Sequence, residues 1–255
     1  MIAEREWYRE GVYVTHYPGS TDHYAILAPP IFEEMPRTSK VMVNLARRLA
    51  SQGLHVVRFD YLGTGWSEAS FAAFSLEEAR RNLESVIEYA RSSGAKRISL
   101  LGFRFGGYLA QEFSSRPEIA KTILWEPLTD LGKHFSDMLR ITVANQMLAF
   151  GQVRQNSRQL KDLFERGETV FLDGYAASPK VFQEFLSAPK AFEGAGFDPS
   201  KVAVLLWQSK ALAADLANRG MDVSWINTSE LNWQNIRFVE PSPEALFEET
   251  ESRLR

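Results

Sequence analysis

The stretch that decides the fold is Gly102-Phe103-Arg104-Phe105-Gly106. It follows a short apolar run at 96–102 and precedes a helical pattern that ends near Ser115. The run has the length and composition of a buried strand, so the five residues predict a turn between a strand and a helix. A glycine at each end favours a tight turn, because glycine has no Cβ to crowd its neighbours.

Strands and helices alternate on both sides of this turn. Apolar runs with the length of buried strands occur at 54–60, 120–126, 201–207 and 222–227. Helical patterns precede the turn at 38–52 and at 75–93, the second beginning with Ser75 as a helix cap. This alternation predicts an α/β fold with a mostly parallel sheet and helices on both faces.

The two ends of the pattern and its interruption predict the organisation of the chain. Residues 7–17 and 22–29 surround a turn and predict an N-terminal hairpin of two strands. The alternation lapses after about residue 128 and returns near residue 200, with helical patterns between. We therefore predict a core made of residues 1–127 and 201–255, with a helical cap inserted at 128–200.

Composition excludes several classes of function. The net charge of −3 gives no basic excess of the kind that binds nucleic acid. No run of 18 apolar residues exists, so we expect no membrane span, and the N-terminus lacks the pattern of a signal peptide. The absence of cysteine excludes disulfides and thiolate chemistry. We expect a cytoplasmic protein.

The strand-to-helix turn resembles the nucleophile elbow of α/β-hydrolases, whose motif is G-x-S-x-G. Upstream, residues 60–67 resemble the D-x-x-G-x-G-x-S loop of that superfamily. Together with the alternation of strands and helices, the resemblance covers nearly the whole chain. It implies the α/β-hydrolase fold with an inserted cap.

A narrower resemblance rests on three short stretches. They are similar to the hydrolase-like proteins associated with bacterial exosortase systems, which also carry arginine at the elbow. That resemblance implies a setting in exopolysaccharide production and protein sorting at the envelope, and it implies no reaction. The stretches are Pro29-Pro30-Ile31-Phe32-Glu33-Glu34-Met35, Leu101-Gly102-Phe103-Arg104-Phe105-Gly106 and Leu124-Trp125-Glu126-Pro127.

The catalytic triad implied by the elbow is missing at each of its three positions. Arg104 stands where the serine nucleophile would be, and a guanidinium is neither nucleophilic nor deprotonated in proteins. The loop at 228–241, where the base usually lies, contains no histidine, and Gln208-Ser209-Lys210 stands where the acid usually follows its strand. Because triad members act as a unit, we expect no serine hydrolysis.

Arg104 at a helix N-terminus needs an anion, since a cation there opposes the helix dipole. One source is internal: Glu33, Glu34 or Glu126 closes the site with an ion pair. The other is an external anion bound by Arg104 and backbone N–H groups of the oxyanion-hole type. The sequence leaves both hypotheses open.

The ligand hypothesis names further candidate residues. Phe32 and Trp125 are expected as pocket walls, and His134 of the cap as a residue that overhangs the site. His16, His23 and His55 are expected at the surface or at edges, no pair of histidines has metal-ligand spacing, and no cofactor is expected. The predicted ligand-binding set is Arg104, Phe105, Ile31, Phe32, Glu34, Trp125 and His134.

The sequence therefore favours a non-hydrolytic protein that binds a small anionic molecule (a carboxylate, a phosphate or an acyl-CoA-like compound) or a protein partner. One alternative is a hydrolase or acyltransferase with a relocated nucleophile. A second is a lyase or isomerase that uses Glu34, Arg104 and Glu126 for proton transfer. A third is a scaffold whose cap surface binds a partner through an exposed apolar patch.

Overall fold

The computed structural model describes residues 4–194, 196–227 and 242–255. Eight of its strands form one sheet, and two form a small hairpin. The strands are β1 (Arg5–Arg9), β2 (Val12–Tyr17), β3 (His23–Ala28), β4 (His55–Phe59), β5 (Arg97–Phe103), β6 (Ile119–Trp125), β7 (Val170–Leu172), β8 (Tyr175–Ala177), β9 (Val202–Leu206) and β10 (Asp222–Trp225). The main sheet has the order β1-β2-β4-β3-β5-β6-β9-β10, and β7 pairs with β8.

Helices connect these strands and cover the sheet. They are α1 (Glu34–Ser51), α2 (Leu76–Ser92), α3 (Phe105–Gln111), α4 (Leu131–Phe150), α5 (Ser157–Glu165), α6 (Pro179–Ser187), α7 (Lys210–Asn218) and α8 (Glu244–Leu254). Short 3-10 turns lie at Phe71–Ala73 and Pro199–Lys201. In the part of the chain described, no helix is both long and apolar enough to cross a membrane.

The six strands from β3 to β10 in the main sheet run parallel, and among the described strands of this sheet β2 alone runs the other way, antiparallel to both β1 and β4. One face packs against α1 and α8, where Leu45, Leu49 and Phe247 meet Leu101 and Phe103. The opposite face packs against α2, α3 and the segment between β6 and β9. The predicted α/β-hydrolase fold, a mostly parallel sheet covered on both faces, is confirmed.

The predicted N-terminal hairpin of 7–17 with 22–29 is wrong. Residues 7–17 are split by a turn at Glu10 and Gly11, whose φ angles are 52° and 79°, so the hairpin forms between β1 and β2. β4 then lies between β2 and β3. All six residues of β3 are buried, which suits an interior strand with neighbours on both sides.

Helix boundaries also differ from the sequence pattern in two places. α1 begins at Glu34 instead of Thr38, because Pro36 is tolerated in a first turn, where backbone N–H groups lack helical partners. α3 ends at Gln111, four residues before the predicted Ser115. The predicted cap of α2 is confirmed: the Ser75 hydroxyl oxygen accepts a hydrogen bond from the Glu78 N–H at 3.1 Å.

Residues 128–200, which we call the cap, contain α4, α5, the β7–β8 hairpin and α6. Phe135, Phe164 and Phe182 form an aromatic cluster, in which the rings of Phe164 and Phe182 stack with their centroids 4.6 Å apart. Phe185 of α6 stacks on Phe105 at 5.8 Å. The cap therefore packs directly on the first residue of α3, next to Arg104.

The histidines of the first strands are not at the surface, contrary to expectation. His16 is only 4% exposed and His23 only 7%. His16 Nε2 lies 3.0 Å from His55 Nδ1, and its Nδ1 lies 3.0 Å from the Tyr89 hydroxyl. His23 pairs with Ser99. Neither histidine is on an edge strand, because β2 lies between β1 and β4 and β3 lies between β4 and β5, and Tyr89 of α2 also covers His16.

This burial predicts a pH-dependent stability. Desolvation, aided by the charges of His55 and Arg5, lowers the pKa of His16 to about 4 from 6.5. A lowered folded-state pKa means that the unfolded chain binds the proton first, so stability falls as pH drops from 6.5 to 4. We expect His16→Gln to remove up to about 3 kcal/mol of that fall, measured by urea unfolding across this range. Carboxylates titrate in both proteins, so parallel curves for variant and parent would contradict the prediction.

Candidate functional site

The centre of the site is the turn between β5 and α3. Arg104 has φ 50° and ψ −107°, a conformation that costs a residue with a Cβ about 1–3 kcal/mol. The surrounding backbone holds it in place: the Arg104 N–H donates to the Trp125 carbonyl at 3.0 Å, and its carbonyl accepts from Leu128 N–H at 3.1 Å. The turn is thus fixed against the end of β6.

The glycines around Arg104 are required by close backbone approach. A Cβ on Gly106 would lie 2.1 Å from the Ala28 carbonyl oxygen, and one on Gly102 would lie 2.5 Å from the Gly106 carbonyl oxygen. Neither contact is possible without moving the backbone. The glycines therefore let α3 start directly beneath β3, which brings the loop after β3 close to Arg104.

The side chain of Arg104 is bound on two sides by the protein itself. Its Nε donates to Glu34 Oε1 at 2.9 Å, and its Nη1 donates to the Glu126 carbonyl at 3.0 Å. The side chains of Arg104 and Glu34 are each only 16% exposed. Of the three candidate carboxylates, Glu34 forms the ion pair, whereas Glu33 pairs with Arg37.

Glu126 has a different role from the one expected. It is 3% exposed with φ 41°, and its Oε1 accepts hydrogen bonds from the N–H groups of Trp207 and Gln208, both at 2.5 Å. Its carboxylate therefore holds the end of β9 against the end of β6. Only its main-chain carbonyl meets Arg104.

His134 of α4 completes the cluster. Burial lowers its pKa, with the charge of Glu34 acting against this shift and that of Arg104 adding to it, so His134 lies within electrostatic reach of the ion pair. Two buried atoms here, His134 Nε2 and Glu34 Oε2, have no hydrogen-bond partner in the described part of the chain. Buried polar atoms are normally paired, so these two mark a place where a polar group would be stabilised.

The apolar candidates are all buried: Phe32 contacts the cap beside the cavity described below, whereas Trp125 lies under α8. Phe32, with φ 53°, contacts Phe71 at 4.8 Å and Tyr175 of the cap at 5.4 Å. Ile31 and Phe105 are completely buried. Trp125 is also completely buried, and its indole N–H donates to Thr250 Oγ1 of α8 at 3.0 Å. Trp125 therefore packs in the core under α8 and is not a pocket wall beside Arg104.

A cavity of about 650 Å³ lies on the far side of Phe32, between α1, the β2 and β4 strands and residues 60–66. Arg58 and Asp60 line it, while Arg104, Glu34 and His134 do not. Asp60 Oδ2 accepts from Trp66 N–H at 2.9 Å, and burial raises the pKa of this carboxyl. The sequence missed this cavity, because it depends on how α1 packs on the edge strands.

Comparison with known families decides the classification. The model of the serine aminopeptidase family, S33, matches residues 31–189, which is more than half of the chain. The chain belongs to this α/β-hydrolase family. The matched region contains Glu34, Arg104, Glu126 and His134, so the family match covers the cluster itself. A comparison with curated proteins finds no significant match.

Two solved structures resemble the chain along nearly its whole length, and a third aligns with half of it. The α/β-hydrolase GrgF from a Penicillium species is 15% identical, with a TM-score of 0.62 over 99% of this chain and 97% of its own. A putative hydrolase from Agrobacterium vitis is also 15% identical, with a TM-score of 0.60 over 100% and 99%. A serine hydrolase from Xanthomonas campestris aligns with 50% of this chain and 62% of its own, at 24% identity and a TM-score of 0.42. At these identities the first two show the fold alone.

This S33 family member departs from a serine hydrolase at the turn itself. Arg104 replaces the serine that the elbow motif requires. Gln208 is the first residue of the stretch where the acid usually follows its strand, and its N–H donates to the Glu126 carboxylate. The loop at 228–241, where the sequence predicts the position of a base, lies outside the described residues. Its sequence contains no histidine. In the described part of the chain no cluster of acidic and histidine side chains is arranged to hold a metal ion.

The ion pair predicts a measurable coupling between two distant positions. In a double-mutant cycle with Arg104→Met and Glu34→Ala, we expect a coupling of about 1–3 kcal/mol in the free energy of unfolding, because both groups are largely buried. The matched control is Arg91 with Glu88, an exposed pair at 2.8 Å whose coupling should stay below about 0.5 kcal/mol. Equal coupling in the two cycles would show that the Arg104–Glu34 contact carries no special stabilisation.

Proposed function

We propose that this S33 family member is a non-hydrolytic protein whose former catalytic centre binds anions. The observation that carries the proposal is the guanidinium of Arg104 at the elbow, held by Glu34 and by the Glu126 carbonyl. Serine hydrolysis needs a nucleophile at that point, and arginine cannot supply one. What the arrangement retains is a guanidinium, paired on one side with Glu34, at the edge of the sheet where α/β proteins bind their ligands.

The unused hydrogen-bonding capacity of the site supports binding. The guanidinium of Arg104 has five N–H groups. Within the described residues one N–H at Nε and one at Nη1 donate hydrogen bonds. The pairing with Glu34 is therefore one-sided, and guanidinium prefers a bidentate partner. Of the two buried unpartnered atoms, His134 Nε2 can donate when it carries the ring proton, whereas Glu34 Oε2 belongs to a carboxylate and only accepts. A carboxylate or phosphate that binds Arg104 on its free edge would use these donors, and His134 Nε2 would add a further contact.

The biological setting is proposed from the three sequence stretches that resemble exosortase-associated proteins. Each stretch contributes one residue to the cluster: Glu34 from the first, Arg104 from the second and Glu126 from the third. The resemblance therefore coincides with a physical unit of the structure. These stretches support our proposal that the protein is an accessory protein of exopolysaccharide or envelope assembly that binds an anionic molecule or a protein partner.

A second candidate function is proton transfer by a lyase or isomerase. The observation that favours it is the unpartnered, buried carboxylate oxygen of Glu34, whose charge acts on His134. Such an oxygen can act as a general base toward a substrate within hydrogen-bond reach. Glu126 takes no part in this candidate, since its carboxylate is bound to the backbone of Trp207 and Gln208.

Thermal stability in the presence of anions tests the proposed function. We expect carboxylates, phosphates or acyl-CoA compounds to raise the melting temperature of the protein, because binding at a hundredfold excess over Kd adds about 2.7 kcal/mol of stability. The shift should vanish in Arg104→Ala.

The matched control is Arg91→Ala, which removes an exposed arginine from a surface ion pair and should leave the shift intact. Arg104→Lys separates loss of anion binding from loss of folding in Arg104→Ala. This variant keeps the positive charge without the guanidinium fork, and it should weaken the shift in melting temperature. A shift that persists in both Arg104 variants, or no shift with any of these anions, would overturn anion binding at the elbow.

A further inference from the structure

The end of α4 exposes large apolar side chains to solvent. Leu148 is 84% exposed, Ile141 55% and Phe150 50%. Ile141 and Leu148 are seven residues apart and so share one side of the helix, whereas Phe150, two residues after Leu148, lies about 200° further round the last turn, so the apolar side chains surround the helix end. Single exposed apolar residues are ordinary on a protein surface, but several at one helix end indicate an interaction surface.

The loop after α4 belongs to the same surface. Gln146 Oε1 accepts hydrogen bonds from the N–H groups of Arg154 and Gln155 at 2.8 and 2.9 Å, which folds the loop back on the helix. The Arg154 guanidinium lies 3.5 Å from the centre of the Phe150 ring. We call this area the cap tip, which comprises Ile141, Met147, Leu148, Phe150, Val153, Arg154 and Arg158.

The cap tip is locally basic in an acidic protein. Residues 141–161 contain Arg154, Arg158 and Lys161 and no aspartate or glutamate, whereas the whole chain has a net charge of −3. In the described ranges, none of these three pairs with a carboxylate; the neighbouring ion pairs join Arg140 to Asp137 and Arg166 to Glu168. In the part of the chain that the structure describes, these three basic side chains are therefore unpaired, although the Asp173 carboxylate also lies against α4, where it accepts hydrogen bonds from Thr142 and Asn145.

These two properties together select a partner. A second copy of the chain bound through the same surface would place Arg154 and Arg158 against themselves, which is unfavourable. A polyanion without apolar groups would leave Leu148 and Phe150 exposed. An anionic lipid surface offers phosphates for the arginines and acyl chains for the apolar residues within a few ångströms of each other.

We propose that the cap tip binds peripherally to the surface of a bilayer that contains anionic lipid. The end of α4 lies in the interface, Leu148 and Phe150 enter the acyl boundary, and Arg154 and Arg158 contact the headgroups. This is a second binding surface, independent of the anion site at Arg104, because none of the residues of the Arg104–Glu34–His134 cluster belongs to it.

Vesicle sedimentation of the full chain tests this proposal. We expect phosphatidylcholine–phosphatidylglycerol vesicles to bind the protein at least about tenfold more tightly than phosphatidylcholine vesicles, because the basic residues are attracted to anionic lipid. The double variant Leu148→Glu/Phe150→Glu should lose binding to both. Arg154→Gln/Arg158→Gln should lose the preference for phosphatidylglycerol and its dependence on salt.

The control is Trp225→Glu, which adds one negative charge at an exposed aromatic residue of β10, an edge strand of the main sheet outside the cap. It should bind vesicles like the parent. The substituted residues are at the surface, so circular dichroism melting should be nearly unchanged. Equal binding to both vesicle types, or unchanged binding of Leu148→Glu/Phe150→Glu, would overturn the proposal. So would a concentration-dependent dimer that this variant abolishes, since the cap tip would then bind a second copy.

Discussion

The ion pair between Arg104 and Glu34 is the contact on which the site depends. A cation in a left-handed turn at a helix N-terminus opposes the helix dipole by about 0.3–1 kcal/mol, in addition to the strain of the turn. Glu34 supplies the compensating charge from the start of α1, and the Glu126 carbonyl supplies an acceptor from the end of β6. The guanidinium therefore joins the segments that follow β3, β5 and β6 at one edge of the sheet.

Glu34 and Glu126 stabilise the elbow in different ways. Glu34 neutralises Arg104, while the carboxylate of Glu126 binds the backbone at the end of β9 and so keeps that strand end aligned with β6. The arrangement places structural groups where a serine hydrolase has a reacting nucleophile and an orienting acid. The fold is that of the S33 family, and at its centre both glutamates contact other segments of the chain.

Much of this could be predicted from the sequence, because the alternation of strands and helices and the glycines around Arg104 have only one good structural interpretation. The sequence could not predict which of Glu33 and Glu34 pairs with Arg104. Adjacent residues at the start of a helix point about 100° apart, and the pattern predicts the start of α1 four residues too late. Trp125 was predicted to be a pocket wall because it ends a strand, but the end of a strand does not determine which face of the sheet a side chain covers. Trp125 shares the face of Ile123, which packs under α1 and α8. The burial of His16 depends on the side chains of α2, which a local pattern does not reveal.

The most direct test of the central claim is reaction with a fluorophosphonate, together with turnover of simple esters, for the purified protein and for Arg104→Ser. Without a nucleophile, the parent should form no covalent adduct. The serine variant should turn over esters no faster than the parent, because neither a histidine base in the sequence of the 228–241 loop nor a free acid at the end of β9 would activate the hydroxyl. Stoichiometric labelling of the parent, or ester turnover by Arg104→Ser well above background, would contradict the account and show that a catalytic base and acid survive around the elbow.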